Sequence, residues 1–317
     1  MGVVEGTEQG GDGSAAREHT QGVGVNEGVH SIRFWQSWSL ETAQEWVNNA
    51  YTYVVAFSPG NLFSPPKCTA TKILTEEMTL LIRAYTNTSP AAPLALKTLA
   101  VLPHLMLQRT HKTSKCSENV KALQRRIESW KKGDVQKLLS EAMALQERLH
   151  MGNRRRQETK DKNRIFGERM RQGKLSMAIR SLSARENQAG VVPMTDETHR
   201  MLKDKHPDAT PAPQDTRFPG EYQPPHHVIF DRITGEAIWR HALHTQGAAG
   251  PSGLDAKGWK SLLSKTTAGN AATALRDAVA ALARKMATED CQHLEAITAC
   301  RLIPLDKKPG RHPVGIG

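Results

Sequence analysis

The chain has 317 residues, with 43 Lys and Arg against 32 Asp and Glu, and a formal net charge of +11. Hydrophobic residues make up 38% and aromatic residues 5%, so we expect a packed core over only part of the chain. Its four cysteines form no Cys-x-x-Cys pair. The N-terminus shows no basic segment followed by an apolar one, as a secretory signal would. The longest apolar run is interrupted by Lys97, Pro103 and His104. We expect an intracellular protein, nuclear or cytoplasmic and not secreted, with no membrane partner.

The positive charge is concentrated in one stretch. Residues 109–185 contain 21 basic and 8 acidic residues, a net charge of +13, whereas the remainder contains 22 and 24, a net charge of −2. Such a stretch is typical either of a protein with a polyanion partner or of a solvated helical surface. Composition does not distinguish these two interpretations.

The first 30 residues are rich in Gly, Glu and Gln and have almost no large apolar side chains, which predicts disorder. A helical region is expected over 31–150, beginning with a short helix that carries the tryptophans Trp35, Trp38 and Trp46. The run at 91–108 predicts an apolar helix that is kinked or split before Pro103.

Three further helices in this region are predicted from apolar residues that recur every three or four positions. These residues are Leu74, Met78, Leu81 and Tyr85, then Val120, Leu123, Ile127 and Trp130, then Val135, Leu138, Ala142, Leu145 and Leu149. The last two helices are joined by Lys131, Lys132 and Gly133, and Asp134 suits the N-cap of the second. We predict an αα-hairpin, of which a DNA-reading helix-turn-helix is a less common form.

A basic helical region is expected over 151–206. Its densest run of cations is Arg154, Arg155, Arg156, Lys160, Lys162, Arg164, Arg169 and Arg171. These residues form either a solvated helix face or a surface that contacts nucleic-acid phosphates, and Arg154 to Arg156 also match a short nuclear localisation signal. Phe166 is the one aromatic residue among them, so backbone contact is favoured over base stacking. Thr195 is the predicted N-cap of a short helix that ends at Lys205.

Six prolines between 207 and 225 predict a linker and a domain boundary. Beyond it we expect an extended run at 226–230 and helices at 233–244 and 270–288, the latter rich in alanine. A glycine-rich loop at 246–255 ends at Asp255, the predicted N-cap of another helix. The loop lacks the following Gly-Lys-Ser/Thr of a P-loop, and His241 and His244 lack a third metal ligand.

The last 17 residues, 301–317, read RLIPLDKKPGRHPVGIG and predict a strand, a cationic turn and a returning strand. Lys307, Lys308, Arg311 and His312 cluster at the tip. Cations at a hairpin tip suit a polyphosphate clamp, and they are also common as ordinary solvated charges.

This terminal segment resembles the opening fingers motif of reverse transcriptases from non-LTR, LINE-like retrotransposons, which typically read RLIPLxKxPGxRPIGIG. The loop TQGAAGPSGLD at 245–255 looks like the loop that precedes the fingers in those proteins. Upstream, GKLSMAIRSLS at 173–183, GVVPMTD at 190–196 and KHP at 205–207 resemble their N-terminal extension, so the similarity covers roughly 90–317.

The resemblance implies a right-hand polymerase fold, of which 226–317 would hold the start of the fingers and the upstream helices the N-terminal extension. It implies that Lys307 contacts the phosphates of an incoming nucleotide, with Lys308 and Arg311 beside it. Where the family has an Arg directly before the Pro, this sequence has His312, and its Arg311 stands one position earlier. Polymerisation in the family uses palm aspartates that hold metal ions, some in an aromatic-x-Asp-Asp motif, and this sequence contains no Asp-Asp pair.

We therefore expect a mostly α fold with a small terminal hairpin, from a truncated element or a partial gene model, inactive as a polymerase by itself. Mg²⁺ is expected only for a complete polymerase, and the expected partner is RNA or DNA, bound through 109–185. The alternatives are a non-enzymatic basic helical RNA- or DNA-binding protein, and the product of a decayed element without a selected function.

Overall fold

The computed structural model describes residues 38–57, 61–111, 113–158, 167, 170–171, 195–205, 225–247, 249–299, 301–306 and 311–316, with the backbone alone at 150–158 and in the last two ranges. This part of the chain is mostly helical, as predicted. The helices are α1 (Leu40–Val55), α2 (Thr69–Thr86), α3 (Ala92–Leu107), α4 (Cys116–Lys132), α5 (Val135–Glu158), α6 (Asp196–Lys205), α7 (Val228–Asp231), α8 (Gly235–His244), α9 (Ala256–Leu262), α10 (Lys265–Ala268), α11 (Asn270–Thr288) and α12 (Glu295–Thr298). None of them combines the length and the apolar composition that crossing a membrane requires.

Helix α2 lies at the centre of the core and is covered on several sides. It packs against α3, α4, α10 and α11. The predicted stripe is buried, with Leu74 and Met78 both fully inaccessible. A second face is buried as well, although it carries threonines.

Those threonines satisfy their hydroxyl groups locally. The hydroxyl of Thr75 donates to the carbonyl of Thr71, and that of Thr79 donates to the carbonyl of Thr75, both at 2.8 Å. The Thr71 hydroxyl donates to the Pro66 carbonyl at 2.6 Å. A buried polar group costs little when it is hydrogen-bonded, so α2 is covered on a face that a hydropathy pattern marks as polar.

One hydrophobic core joins residues on both sides of the predicted proline-rich linker. It includes Leu74 and Leu102 from the first part of the chain and Leu275, Ala278 and Leu282 from α11. The alanines of α11, the alanine-rich helix that the sequence predicts, allow its close packing against α2. The linker itself lies outside the described residues, and the boundaries of the five predicted regions stay a prediction.

Two local predictions need correction. Helix α3 is not split before Pro103 but continues through it, because it is buried among α1, α2, α4 and α5, and this packing offsets the hydrogen bond that proline removes; the predicted kink stays a prediction. The run at 226–230 is not extended: Val228–Asp231 forms the short helix α7, in which the Ile229 N–H donates to the His226 carbonyl at 3.0 Å. Branched residues favour strands only where a partner strand covers them, and Val228 and Ile229 are exposed.

Helices α4 and α5 form the predicted αα-hairpin. Helix α4 ends at Gly133, which has a left-handed φ of 82°. The N–H of Gly133 donates to the Trp130 carbonyl and that of Asp134 to the Ser129 carbonyl, both at 3.0 Å, which is a Schellman ending. Helix α5 then begins directly after Asp134, which stands at the predicted N-cap position.

A buried arginine joins this hairpin to α3. The side chain of Arg126 is 1% exposed, and its Nε and Nη2 donate to Glu141 Oε1 at 3.0 and 2.8 Å. Its Nη1 donates to the carbonyls of Met106 and Gln108 at 3.0 and 2.7 Å. Burial lowers the pKa of Arg126, and the charge of Glu141 opposes that shift. One guanidinium thus holds α4, α5 and the C-terminal end of α3 together.

The last 17 residues contain strands β1 (Arg301–Asp306) and β2 (Arg311–Ile316), which pair antiparallel. Arg301 pairs with Ile316 and Asp306 with Arg311. Pro304 lies opposite Pro313, and neither residue has a backbone N–H to donate.

We predict that Arg126→Met destabilises the protein by about 3 kcal/mol, because it leaves the buried carbonyls of Met106 and Gln108 without their side-chain donor and removes the buried partner of Glu141. Urea denaturation at neutral pH measures the change. The matched control is Arg125→Met, since Arg125 contacts the same Glu141 oxygen at 2.7 Å but is mostly exposed. The control should cost less than about 1 kcal/mol. Equal losses in the two variants would contradict the structural role of Arg126.

Candidate nucleic-acid interface

The predicted phosphate-contact residues fall at the end of α5 and beyond it. Arg154, Arg155 and Arg156 occupy the last turns of this 24-residue helix. Arg171 is helical and exposed, and its Nε donates to the Gly167 carbonyl at 3.3 Å. The remaining predicted cations, Lys160, Lys162, Arg164 and Arg169, lie outside the described residues. Phe166 also lies outside them.

The α4–α5 hairpin presents charges of both signs. Its exposed cations are Lys121, Arg125, Lys131, Lys132, Lys137 and Arg148. Its exposed carboxylates are those of Glu118, Glu128, Asp134 and Glu147. The positive charge on the described surface is therefore modest, and most of the excess belongs to residues that follow Arg148 in the sequence.

The residues implied as phosphate contacts at the C-terminus are only partly described. Arg311 begins β2 and pairs with Asp306, and His312 pairs with Leu305. Lys307 and Lys308 lie between the strands, at 307–310, and outside the described residues. The register places Arg311 and His312 at successive positions of one strand, where side chains alternate between the two faces.

The segment that leads into β1 is anchored to the helical core by two tyrosines. The hydroxyl of Tyr85 on α2 donates to the Gln292 carbonyl at 2.6 Å, and that of Tyr51 on α1 lies 3.3 Å from the Glu295 carbonyl. Lys97 on α3 forms an ion pair with Glu295 at 3.3 Å. Because three core helices contact residues 292–295, they determine where the terminal hairpin leaves the core.

Burial, with a smaller effect of Cys291, raises the pKa of Tyr85 to about 12. Burial also raises the pKa of Tyr51, with a further contribution from the charge of Glu295. Both phenols therefore stay protonated and able to donate at neutral pH. The ion pair with Lys97 and a backbone hydrogen bond lower the pKa of Glu295, against the effect of its own desolvation.

The glycine-rich loop connects α8 to α9. Gly253 has a φ of +70°, and a Cβ there would lie 2.6 Å from Cε1 of His104, so this position requires glycine. The Nε2 of His104 lies 3.0 Å from the Pro251 carbonyl. Asp255 Oδ1 accepts from the Gly258 N–H at 2.7 Å and caps α9, as the sequence predicts.

The loop separates two clefts that sequence patterns did not reveal. An apolar cleft of about 570 Å³ lies between it and the core, lined by side chains such as Ile82, Leu99, Trp259 and Val279. On its other side, a cleft of about 480 Å³ is lined by Arg109 and Lys257. These two cations are 148 positions apart, and only the tertiary fold brings them to one cleft.

His241 and His244 gain no third metal ligand in the described residues. His241 lines the apolar cleft, and His244 is exposed. No three His, Cys, Asp or Glu side chains in the described part of the chain lie close enough together to hold a metal ion.

Comparison with known proteins gave no match among protein-family models, curated proteins or solved structures.

The Tyr85 hydrogen bond gives the protein a specific alkaline dependence. The pKa of Tyr85 is higher in the folded chain than its ordinary value of 10.0, so its stabilising contribution is complete below pH 10.0 and is lost as the pH rises towards 12. We predict that the melting temperature of the wild-type protein falls more steeply over this range than that of Tyr85→Phe. Below it, the variant should be less stable by about 1 kcal/mol.

Tyr53→Phe is the control, because Tyr53 lies on α1 but is 48% exposed. Its melting temperature should follow the wild-type pH dependence. Parallel curves for the wild type and Tyr85→Phe would show that the Tyr85 phenol does not carry the effect.

Proposed function

We propose that this chain binds RNA or DNA through the phosphate backbone and is related to the N-terminal extension and first fingers strands of non-LTR reverse transcriptases. The observation that carries the binding proposal is the charge of +13 concentrated in residues 109–185. Each Lys or Arg that neutralises a phosphate releases condensed counterions, and this release is the main source of affinity in sequence-independent binding.

The family relationship is supported by the combination of two motifs. The segment RLIPLDKKPGRHPVGIG ends the sequence, and TQGAAGPSGLD stands about 50 residues upstream, in the order found in the family. The paired strands β1 and β2 coincide with the first motif. We further propose that this hairpin and the helices before it belong to a right-hand polymerase fold. Lys307, Lys308 and Arg311 would then lie near the phosphates of a nucleotide.

Phosphate contact is favoured over base recognition for a compositional reason. Stacking on single-stranded bases requires aromatic side chains interleaved with cations, and Phe166 is the one aromatic residue between 150 and 172. The cations of the α4–α5 hairpin also alternate with carboxylates, which reduces local binding strength. The expected behaviour is therefore moderate affinity, little sequence preference and a strong dependence on salt.

The proposed activity is binding without polymerisation. Nucleotidyl transfer in the family needs palm aspartates that hold two metal ions, and these 317 residues contain no Asp-Asp pair. These 317 residues by themselves would then bind nucleic acid without extending a primer.

We predict that the triple variant Arg154→Gln, Arg155→Gln, Arg156→Gln weakens binding to single-stranded RNA. Each phosphate contact on a single strand contributes about 0.7 to the slope of log affinity against log salt, so the slope should decrease by about 2. Fluorescence anisotropy at several salt concentrations measures the affinity and this slope.

The matched control replaces Arg200, Lys203 and Arg240 with Gln. All three are exposed, and they lie on α6 and α8, outside 109–185. This control changes the net charge equally and should leave the slope within about 0.5 of the wild-type value. If both triple variants behave alike, or if affinity is independent of salt, the binding proposal is wrong.

Primer extension with the purified 317-residue protein and Mg²⁺ tests the second half of the proposal. We expect no product above the background of a preparation without the protein. Robust DNA synthesis would be incompatible with a chain that lacks the palm aspartates.

A further inference from the structure

The second cleft beside the glycine-rich loop, here called the basic cleft, has one wall that backbone hydrogen bonds hold in place. One wall is the segment 61–64, which is held against the end of α3 by the Phe63 N–H to the Leu107 carbonyl and the Arg109 N–H to the Asn61 carbonyl, both at 2.9 Å. The opposite wall is the glycine-rich loop and the first turn of α9. Backbone hydrogen bonds thus preorganise the first of these walls.

Two cations face this cleft from different elements. Arg109 follows α3 and Lys257 belongs to α9. Among the described residues, neither has a carboxylate partner within salt-bridge distance. Asp255 also lines the cleft, but its Oδ1 accepts from Gly258 and caps α9. The charges of these three side chains therefore sum to one positive unit.

Small residues line part of the cleft. Gly247, Ala249, Gly253 and Gly258 contribute little or no side-chain bulk to the cleft. A Cβ at Gly247 would meet no heavy atom within 4 Å, so that residue borders open space. A cationic cleft of 480 Å³ with small residues on one wall has room for a phosphate together with the group that carries it.

The basic cleft is linked to helix α5. Gln146 Oε1 accepts from Asn61 Nδ2 at 2.7 Å and from Gln108 Nε2 at 3.1 Å, which ties the first wall to α5. The exposed Arg148 lies two residues further along the same helix, before Arg154 to Arg156. Helix α5 therefore carries both a contact to this wall of the cleft and the cations Arg148 and Arg154 to Arg156.

We propose that the basic cleft binds one phosphate group between Arg109 and Lys257. The ligand is either a phosphodiester of bound RNA or a free phosphate compound, since both present the same oxyanion. The RNA case rests on the proposed function, whereas the free phosphate case does not depend on it.

Gly247 offers a charge test with a matched control. Gly247→Glu places a carboxylate beside the cleft, and Gly247→Gln adds almost the same bulk without charge. Calorimetric titration with inorganic pyrophosphate should show that the Glu variant binds at least tenfold more weakly than the Gln variant. Equal affinity of the two variants, or no pyrophosphate binding by the wild-type protein at millimolar ligand, overturns the proposal.

Removal of the cations gives an independent test. The double variant Arg109→Gln, Lys257→Gln should lose pyrophosphate binding and, if the site takes a phosphodiester of RNA, lower the salt slope of RNA binding by about 0.7, the value for one phosphate on a single strand. Lys260→Gln, on the same helix but outside the cleft, should change neither. Thermal melting checks that each variant is folded, and a folded double variant that binds pyrophosphate normally also overturns the proposal.

The two ligand sources give different results. If the Arg109 and Lys257 substitutions reduce affinity for RNA and for pyrophosphate, the site takes a backbone phosphodiester. If they reduce only pyrophosphate binding, it takes a free phosphate compound. If the wild-type protein binds no RNA, the proposed function fails, while the pyrophosphate titration still decides the basic cleft.

Discussion

The packing of α2 against α11 is the contact on which the rest of the fold depends. These helices come from opposite sides of the proline-rich stretch, and together they complete one hydrophobic core. Close approach is possible because α11 contributes small alanines and α2 satisfies its buried threonine hydroxyls within its own backbone. Helix α11 in turn positions its neighbours. Its buried Arg276 donates to the carbonyl of Leu263, directly after α9, at 2.7 Å. The Arg276 guanidinium also stacks 4.3 Å from the centre of the Trp239 ring on α8.

This arrangement positions the segments that carry the functional proposals. The glycine-rich loop is held between α3 and α9 by the approach of Gly253 and Pro251 to His104. The segment before the terminal strands is held by Tyr51, Tyr85 and Lys97, from three helices of the core. Side chains from distant parts of the sequence therefore fix the positions of both segments.

Buried polar contacts give this body its specificity more than its stability. The desolvation of Arg126 offsets much of its attraction to Glu141, so the net contribution of the pair to the free energy of folding is small. An apolar side chain that filled the space of Arg126 would lose the hydrogen bonds to the Met106 and Gln108 carbonyls. Those bonds determine how the α4–α5 hairpin, the start of the basic stretch, lies against the end of α3.

The sequence by itself determined the helical periodicity of α2, α4, α5 and α11, the break between α4 and α5 at Gly133 and the caps at Thr195 and Asp255, because these features depend on interactions between residues a few positions apart. It also located the charge of the 109–185 stretch. Only the tertiary structure decided that α3 runs unbroken through Pro103, that a threonine face is buried, and that Arg109 and Lys257 line one cleft. These outcomes depend on contacts between segments far apart in the chain, which no local pattern of residue types encodes.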